Sequence, residues 1–123
     1  MGCKCGPLES DPCRSAFRQA LLDTMNALNL TALVHPTWGA FAPGLEEDPA
    51  DSGAGNYSPM IAPLTGAPAV SVPMGFGSQG LPAGLTFLGR PGDDDSVLGA
   101  ALAYESLSRR REAPPLFGEC AVH

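Results

Sequence analysis

His35 is the internal residue of this chain whose side chain is best suited to moving a proton. A neutral imidazole accepts a proton from a hydroxyl group or a water molecule, which is the work of a general base. No nucleophile and no orienting acid stand close to His35 in sequence, although sequence distance does not exclude a partner in space. Its place at the end of a β-prone run, residues 31–34, favours a structural role. The sequence leaves both roles of His35 open.

Four cysteines near the two ends of the chain are candidate ligands for a soft metal. Thiolates and an imidazole suit zinc or copper, but these spacings match no structural zinc pattern. We therefore expect free surface thiols and predict neither a metal site nor a cofactor. The residues concerned are Cys3, Cys5, Cys13, Cys120 and His123.

Two other patterns have both a chemical and a structural interpretation. Adjacent carboxylates at residues 93–95 cannot all converge on one cation, so they are expected to cap the positive start of a helix. Residues 75–80, G-F-G-S-Q-G, fit the dinucleotide-binding pattern. A dinucleotide needs a helix to begin there, whereas Leu81 and Pro82 lead into a second strand. A hairpin turn is the expected structure, and we assign no cofactor-binding or catalytic residue.

The first element that would position such residues is a helix. Asp11 can cap the first free amides, and Pro12 fits the first helical position because its missing N–H costs nothing there. The helix is expected to end near Asn29. Its apolar stripe at helical spacing consists of Phe17, Leu21, Leu22, Met25 and Leu28.

Strands and shorter helices are expected to follow. The run 31–34 should form a strand that ends at His35, because Pro36 disfavours helix before it and cannot donate to a ladder. Residues 57–64 are weakly helical and end at Gly66. Residues 69–76 and 81–88 alternate as strands of a hairpin, with Val70, Val72 and Met74 on one face. A last helix should run from residue 93 to about Arg110, closed by the basic residues 109–111.

This order, helix, strand, helix, hairpin, helix, predicts a mixed α/β fold. A disordered lead over residues 1–10, a folded part over 11–117 and a tail over 118–123 complete the expected organisation. The loop 39–56 is unusually long for a compact domain, which indicates function, disorder or missing surroundings.

Composition narrows the classes of function. The 123 residues carry a net charge of −6, with Lys4 as the one lysine, so the chain is poorly suited to binding nucleic acid. No apolar stretch approaches the roughly 20 residues of a membrane span, and no secretory signal is evident. We therefore expect no membrane partner and a cytoplasmic location.

A more specific pattern covers the second half of the chain. Residues 64–76, L-T-G-A-P-A-V-S-V-P-M-G-F, precede G-L-P-A-G-L at 80–85 and V-L-G-A-A-L-A-Y-E at 97–105. Upstream, L-T-A-L-V-H-P-T at 30–37 completes the order. This resembles the C-terminal portion of the amidase-signature family, whose fold is a mixed sheet covered by helices. Thr31 and Thr86 depart from residues common in the family, Asp and Gln respectively.

The resemblance implies hydrolysis of carboxamide C–N bonds by a Ser-Ser-Lys mechanism in the full-length family. A serine hydroxyl needs a neighbouring base, and a Gly-rich loop supplies oxyanion donors. This chain has no Ser-Ser pair, and Lys4 matches no family motif. We therefore expect the C-terminal part of an amidase, inactive alone. Its partner would be the missing N-terminal portion or a second copy.

The alternative to an amidase part is a binding or scaffold protein descended from the same fold. Such a protein would hold its partner with the loop 39–56 or with an exposed edge of the sheet.

Overall fold

The structure, a computed structural model, describes residues 7–42, 44, 46, 58–78 and 80–113. These residues confirm a mixed α/β fold with the predicted order of elements. The elements are α1 (Pro12–Ala27), β1 (Leu33–Pro36), α2 (Ile61–Thr65), β2 (Ala69–Phe76), β3 (Pro82–Leu88) and α3 (Asp94–Ser108). The lead residues 1–6 and the tail 118–123 lie outside the described residues.

α1 begins as the sequence predicts. The Asp11 carboxylate accepts hydrogen bonds from the backbone N–H groups of Cys13, at 2.9 Å, and Arg14, at 3.2 Å. Pro12 occupies the first turn. Two of the amides that a helix start leaves without partners are thereby satisfied.

The end of α1 and its apolar stripe differ from the prediction. The helix ends at Ala27, because Asn29 takes a left-handed conformation (φ 51°) and the Leu30 N–H donates back to the Met25 carbonyl at 2.8 Å. Of the predicted stripe, Leu21 and Met25 are buried, Leu22 is half-buried, and Phe17 and Leu28 are exposed.

A turn of 3-10 helix, Leu8–Ser10, lies within the lead that was predicted to be disordered. The Ser10 hydroxyl donates to the Pro7 carbonyl at 2.8 Å, and the Ser15 hydroxyl donates to the Leu8 carbonyl at 3.4 Å. These short-range bonds fix the turn against the start of α1, and composition alone did not indicate them.

The sheet is antiparallel and has the order β1-β3-β2, so β3 is its central strand. β1 lies two residues later than predicted and includes Pro36. The Thr37 N–H donates to the Gly84 carbonyl at 2.8 Å. Hydrogen-bonded and non-hydrogen-bonded pairs alternate in such a ladder, so Pro36 opposite Leu85 stands where no donor is needed.

β2 and β3 form the predicted hairpin, with a β-bulge near its loop. Pro73 pairs with Gly84 and Gly75 pairs with Ala83, which leaves Met74 as the extra residue. Gly75 has a φ of 119°, a conformation that side chains rarely allow. The bulge interrupts the predicted alternation at Met74 and re-aims the end of the strand.

Helices cover both faces of the sheet. On one face, α3 packs through Val97 and Ala101 against Val72 and Phe87. The ring of Phe87 also lies 5.8 Å, centre to centre, from that of Tyr104. On the other face, α1, α2 and the residues after it enclose Leu88, in a cluster formed by Leu21, Met25, Ala67 and Leu88.

α3 is shorter than predicted at its C-terminal end. It ends at Ser108, and Arg109 adopts a left-handed conformation (φ 46°), so the basic residues 109–111 follow the helix rather than forming its last turn. At the other end Asp93 is the N-cap residue but makes no side-chain capping bond. Asp94 and Asp95 occupy the first turn, as expected for carboxylates near a helix start.

Candidate functional site

The larger of two concave surfaces is a groove of about 550 Å³ at the hairpin end of the sheet. We call it the apolar groove, because hydrocarbon side chains and backbone form most of its wall. Its lining residues are Pro36, Trp38, Gly39, Ala40, Phe41, Ala42, Met74, Pro82, Ala83 and Gly84.

The chain after β1 forms one wall of the apolar groove. Trp38 and Phe41 are 60% and 38% exposed, which is high for aromatic side chains. The ring of Phe41 fills the space that a Cβ at Gly77 would take, so the wall contacts the hairpin loop. This wall is the start of the long loop 39–56, of which residues 47–56 lie outside the described residues. The groove suits an apolar partner.

The smaller concave surface measures about 160 Å³ and lies on the α1 and α2 side of the sheet. We call it the hydroxyl pocket. Thr86 Oγ1 lies 2.8 Å from Thr37 Oγ1 and 2.8 Å from Ser71 Oγ, and the Thr37 and Ser71 oxygens are 3.4 Å apart. The lining residues are His35, Thr37, Ser58, Pro59, Ala62, Ala69, Ser71, Thr86 and Leu88.

His35 lines the hydroxyl pocket. It stands opposite Thr86 in the ladder, and its Nδ1 lies 2.8 Å from the carbonyl oxygen of Pro36. A carbonyl oxygen only accepts, so Nδ1 carries the proton, and in the neutral ring Nε2 is then an acceptor. The structure thus brings together a histidine and hydroxyl groups that are distant in sequence. The pocket lining contains no carboxylate among the described residues that could orient the ring as in a hydrolase triad.

The other candidates from the sequence do not converge. Cys13 is exposed on α1, while Cys3, Cys5, Cys120 and His123 lie outside the described residues. Within the part of the chain that the structure describes, no group of three or more His, Cys, Asp or Glu side chains could hold a metal ion. The G-x-G-x-x-G run belongs to the hairpin and its loop, as expected.

Two arginines that the sequence did not single out hold the elements together. Arg90 donates to the Asn26 side chain at 2.6 Å and to the Leu30 carbonyl at 2.9 Å, which ties the end of α1 to the chain after β3. Arg14 donates to the carbonyls of Pro63 and Leu64, at 2.7 and 3.3 Å, where α2 ends. These side chains support the wall of the hydroxyl pocket formed by α2.

No helix in the described portion is both long and apolar enough to cross a membrane.

Sequence comparison identifies relatives of this fold. The family model for Amidase matches residues 8–98. The fatty acid amide hydrolase of Arabidopsis thaliana is 36% identical over 97 residues, which cover 72% of this chain and 16% of that protein. A glutamyl-tRNA(Gln) amidotransferase polypeptide from Zymomonas mobilis subsp. mobilis is 46% identical over 67 residues, which cover 54% of this chain and 14% of that protein.

Solved structures show the same arrangement of elements. The peptide amidase PAM, solved with the competitive inhibitor chymostatin, superposes with a TM-score of 0.67 at 33% identity, covering 85% of this chain and 23% of the amidase. The native peptide amidase from Stenotrophomonas maltophilia gives a TM-score of 0.63 at 33% identity, covering 94% of this chain and 24% of the amidase.

The matched region is thus most of this chain and a minor part of its relatives. The chain spans 16% or less of the length of the two curated relatives and less than a quarter of the peptide amidases. The family model nevertheless matches well over half of the chain, and the structural likeness runs through all of its strands. The chain belongs to the amidase family.

Proposed function

We propose that this chain is the C-terminal part of an amidase domain that hydrolyses carboxamide C–N bonds, and that it supplies sheet strands and one wall of the substrate site. Residues 11–117 would form this part, and an N-terminal amidase portion would be its partner. The observation that carries the proposal is the ordered family match over residues 8–98 in a chain without a Ser-Ser pair.

The shape of the sheet supports a missing neighbour. Among the described residues, β1 and β2 are both edge strands, and β3 alone is paired on both sides. On α3, Leu98 and Leu102 are 55% and 66% exposed. Edge strands and uncovered leucines are surfaces that a larger domain would bury.

The chemistry supports inactivity of the chain alone. The hydroxyl groups in the hydroxyl pocket bond to one another, and no lysine or carboxylate stands among the described lining residues to take a proton from them. Without such a base, a serine or threonine hydroxyl is a weak nucleophile. The nucleophile and the oxyanion donors would therefore come from the partner portion.

Sequencing the gene and its transcript upstream of this region tests the proposal. We expect a reading frame that encodes a Gly- and Ser-rich loop with two serines and a lysine upstream in the same gene or in its neighbourhood. That product, purified together with this chain, should hydrolyse simple aryl and aliphatic amides. Absence of any such coding region nearby would contradict the proposal.

One observation favours the scaffold alternative. Trp38 and Phe41 expose aromatic surface beside a groove that could hold an apolar segment of another protein. A stable monomer with dispersed NMR signals would favour this alternative over the amidase part.

A further inference from the structure

We propose that the hydroxyl pocket is a recognition site for a small neutral carboxamide group. The choice of an amide, rather than another neutral polar group, rests on the proposed function. The site itself is defined by its hydrogen-bonding groups, its walls and its lack of charge.

The pocket lies where the apolar cover of the sheet ends. Leu88 is buried beneath α1, α2 and the residues that follow α2, and the next row on the same face runs from His35 through Thr86 to Ser71. Every member of this cross-strand row is polar. Apolar side chains would stabilise a half-buried sheet face more effectively, so a polar row at this position indicates a binding role.

The hydroxyl groups leave hydrogen-bonding capacity for a ligand. Each has one proton and two acceptor lone pairs. Thr86, only 7% exposed, shares its oxygen with both Thr37 and Ser71. Three protons are enough to serve the bonds within the cluster, and a lone pair on the exposed Ser71 then remains. Rotation of the Ser71 hydroxyl would present a donor instead, so the cluster can both accept and donate.

His35 adds an acceptor on the neighbouring strand. Its Nδ1–H donates to the Pro36 carbonyl, and Nε2 of the neutral ring therefore accepts. An –NH₂ group offers two donors, and a carboxamide oxygen offers an acceptor. A carboxamide thus matches a wall made of hydroxyl groups and an imidazole acceptor.

The remaining walls select against ions. Pro59, Ala62, Ala69 and Leu88 are apolar, and none of the described lining residues is Lys, Arg, Asp or Glu. A carboxylate or an ammonium group would lose its hydration without gaining an opposite charge, which is costly. The volume of about 160 Å³ admits a small group rather than a whole peptide.

NMR titration of the full chain tests the proposal. Propanamide is the probe, and propanoate and propylammonium, of similar size but charged, are the comparison ligands. We expect propanamide to cause saturable shifts confined to the backbone amides of residues 35, 37, 71 and 86. Comparable saturable shifts with the charged ligands, or none with propanamide, would overturn the proposal.

Two variants and a matched control sharpen the test. Thr86→Val keeps the shape of the side chain, and Ser71→Ala alters an exposed residue, so neither should prevent folding. Each should weaken propanamide binding roughly two- to tenfold, as expected for the loss of neutral hydrogen bonds. Ser106→Ala removes a hydroxyl that bonds only within α3, and it should leave binding unchanged. Equal affinities for all four proteins would contradict the proposal.

An assembled enzyme gives a second readout if the isolated chain yields poor spectra. There, Ser71→Ala should raise KM for small amides and leave kcat nearly unchanged, because the pocket binds without touching the reacting bond. A change in kcat alone would contradict the proposal. The outcomes also separate the two claims, since propanamide binding by a chain that completes no amidase would refute only the proposed function.

Discussion

At the scale of single residues, the site depends on contacts that local sequence does not contain. Thr86 meets Ser71 because the loop of the hairpin sets their register, and it meets Thr37 because β1 pairs with β3 across about fifty residues. Alternation along each strand predicted which residues share a face. It did not predict that β3 is central, so the sequence missed the hydroxyl pocket and left the role of His35 open.

Gly84 shows how close these strands and loops lie. A Cβ at this position would stand 2.6 Å from Thr37 Oγ1 and 3.2 Å from Thr37 Cβ. Gly84→Val should therefore push Thr37 away from Thr86 and destabilise the fold by about 1–3 kcal/mol. Chemical denaturation of both proteins measures the change, and an unaltered midpoint would argue against close packing at Gly84.

Gly99 provides the matched glycine, because an added Cβ there meets no atom within 4 Å. It lies inside α3, where glycine costs helix stability. Gly99→Ala should stabilise the protein by roughly 0.5–1 kcal/mol. A loss of stability in the same denaturation experiment would mean that this face of α3 has less space than the structure gives it.

At the scale of elements, start signals were more informative than stop signals. Asp11 and Pro12 predicted the first residue of α1, since capping is a local interaction. The end of α1 depended on a reversal at Asn29, for which glycine would be the usual indicator. The position of β1 depended on which ladder positions lack a hydrogen bond, and that follows only from its pairing with β3.

The two helix starts differ in a measurable way. Asp11 accepts two backbone hydrogen bonds, whereas Asp93 makes no side-chain capping bond. Asp11→Ala should cost about 1 kcal/mol, and Asp93→Ala should cost clearly less, because only its interaction with the helix dipole is lost. Thermal unfolding of both variants tests this difference, and equal losses would contradict the capping geometry of the two helices.

At the scale of the whole molecule, the described residues build two small buried clusters rather than one large core. Leu98, Leu102 and Leu107 are exposed along α3, the last by 87%. Folded domains are stable by only about 5–15 kcal/mol, and each apolar side chain left uncovered forgoes roughly 1.5–3 kcal/mol. A protein with these surfaces needs a neighbour to complete its core.

The isolated chain should therefore be marginally stable, prone to self-association, and able to bind the hydrophobic dye ANS before it unfolds. Fluorescence titration with ANS and sedimentation at several concentrations measure both properties. Cooperative unfolding of a monomer without prior dye binding would favour the stand-alone scaffold.

An amide-hydrolysis assay on the purified chain, with a panel of simple aryl and aliphatic amides, tests most directly whether this chain is an inactive part of an amidase. We predict no hydrolysis above background, because the hydroxyl groups of the hydroxyl pocket have no base among the described lining residues and the chain has no Ser-Ser pair. Loss of an activated nucleophile or of an oxyanion donor each typically costs a factor of about 10² or more in rate. Turnover that persists through purification to homogeneity, and that a serine-directed inhibitor abolishes, would contradict this prediction.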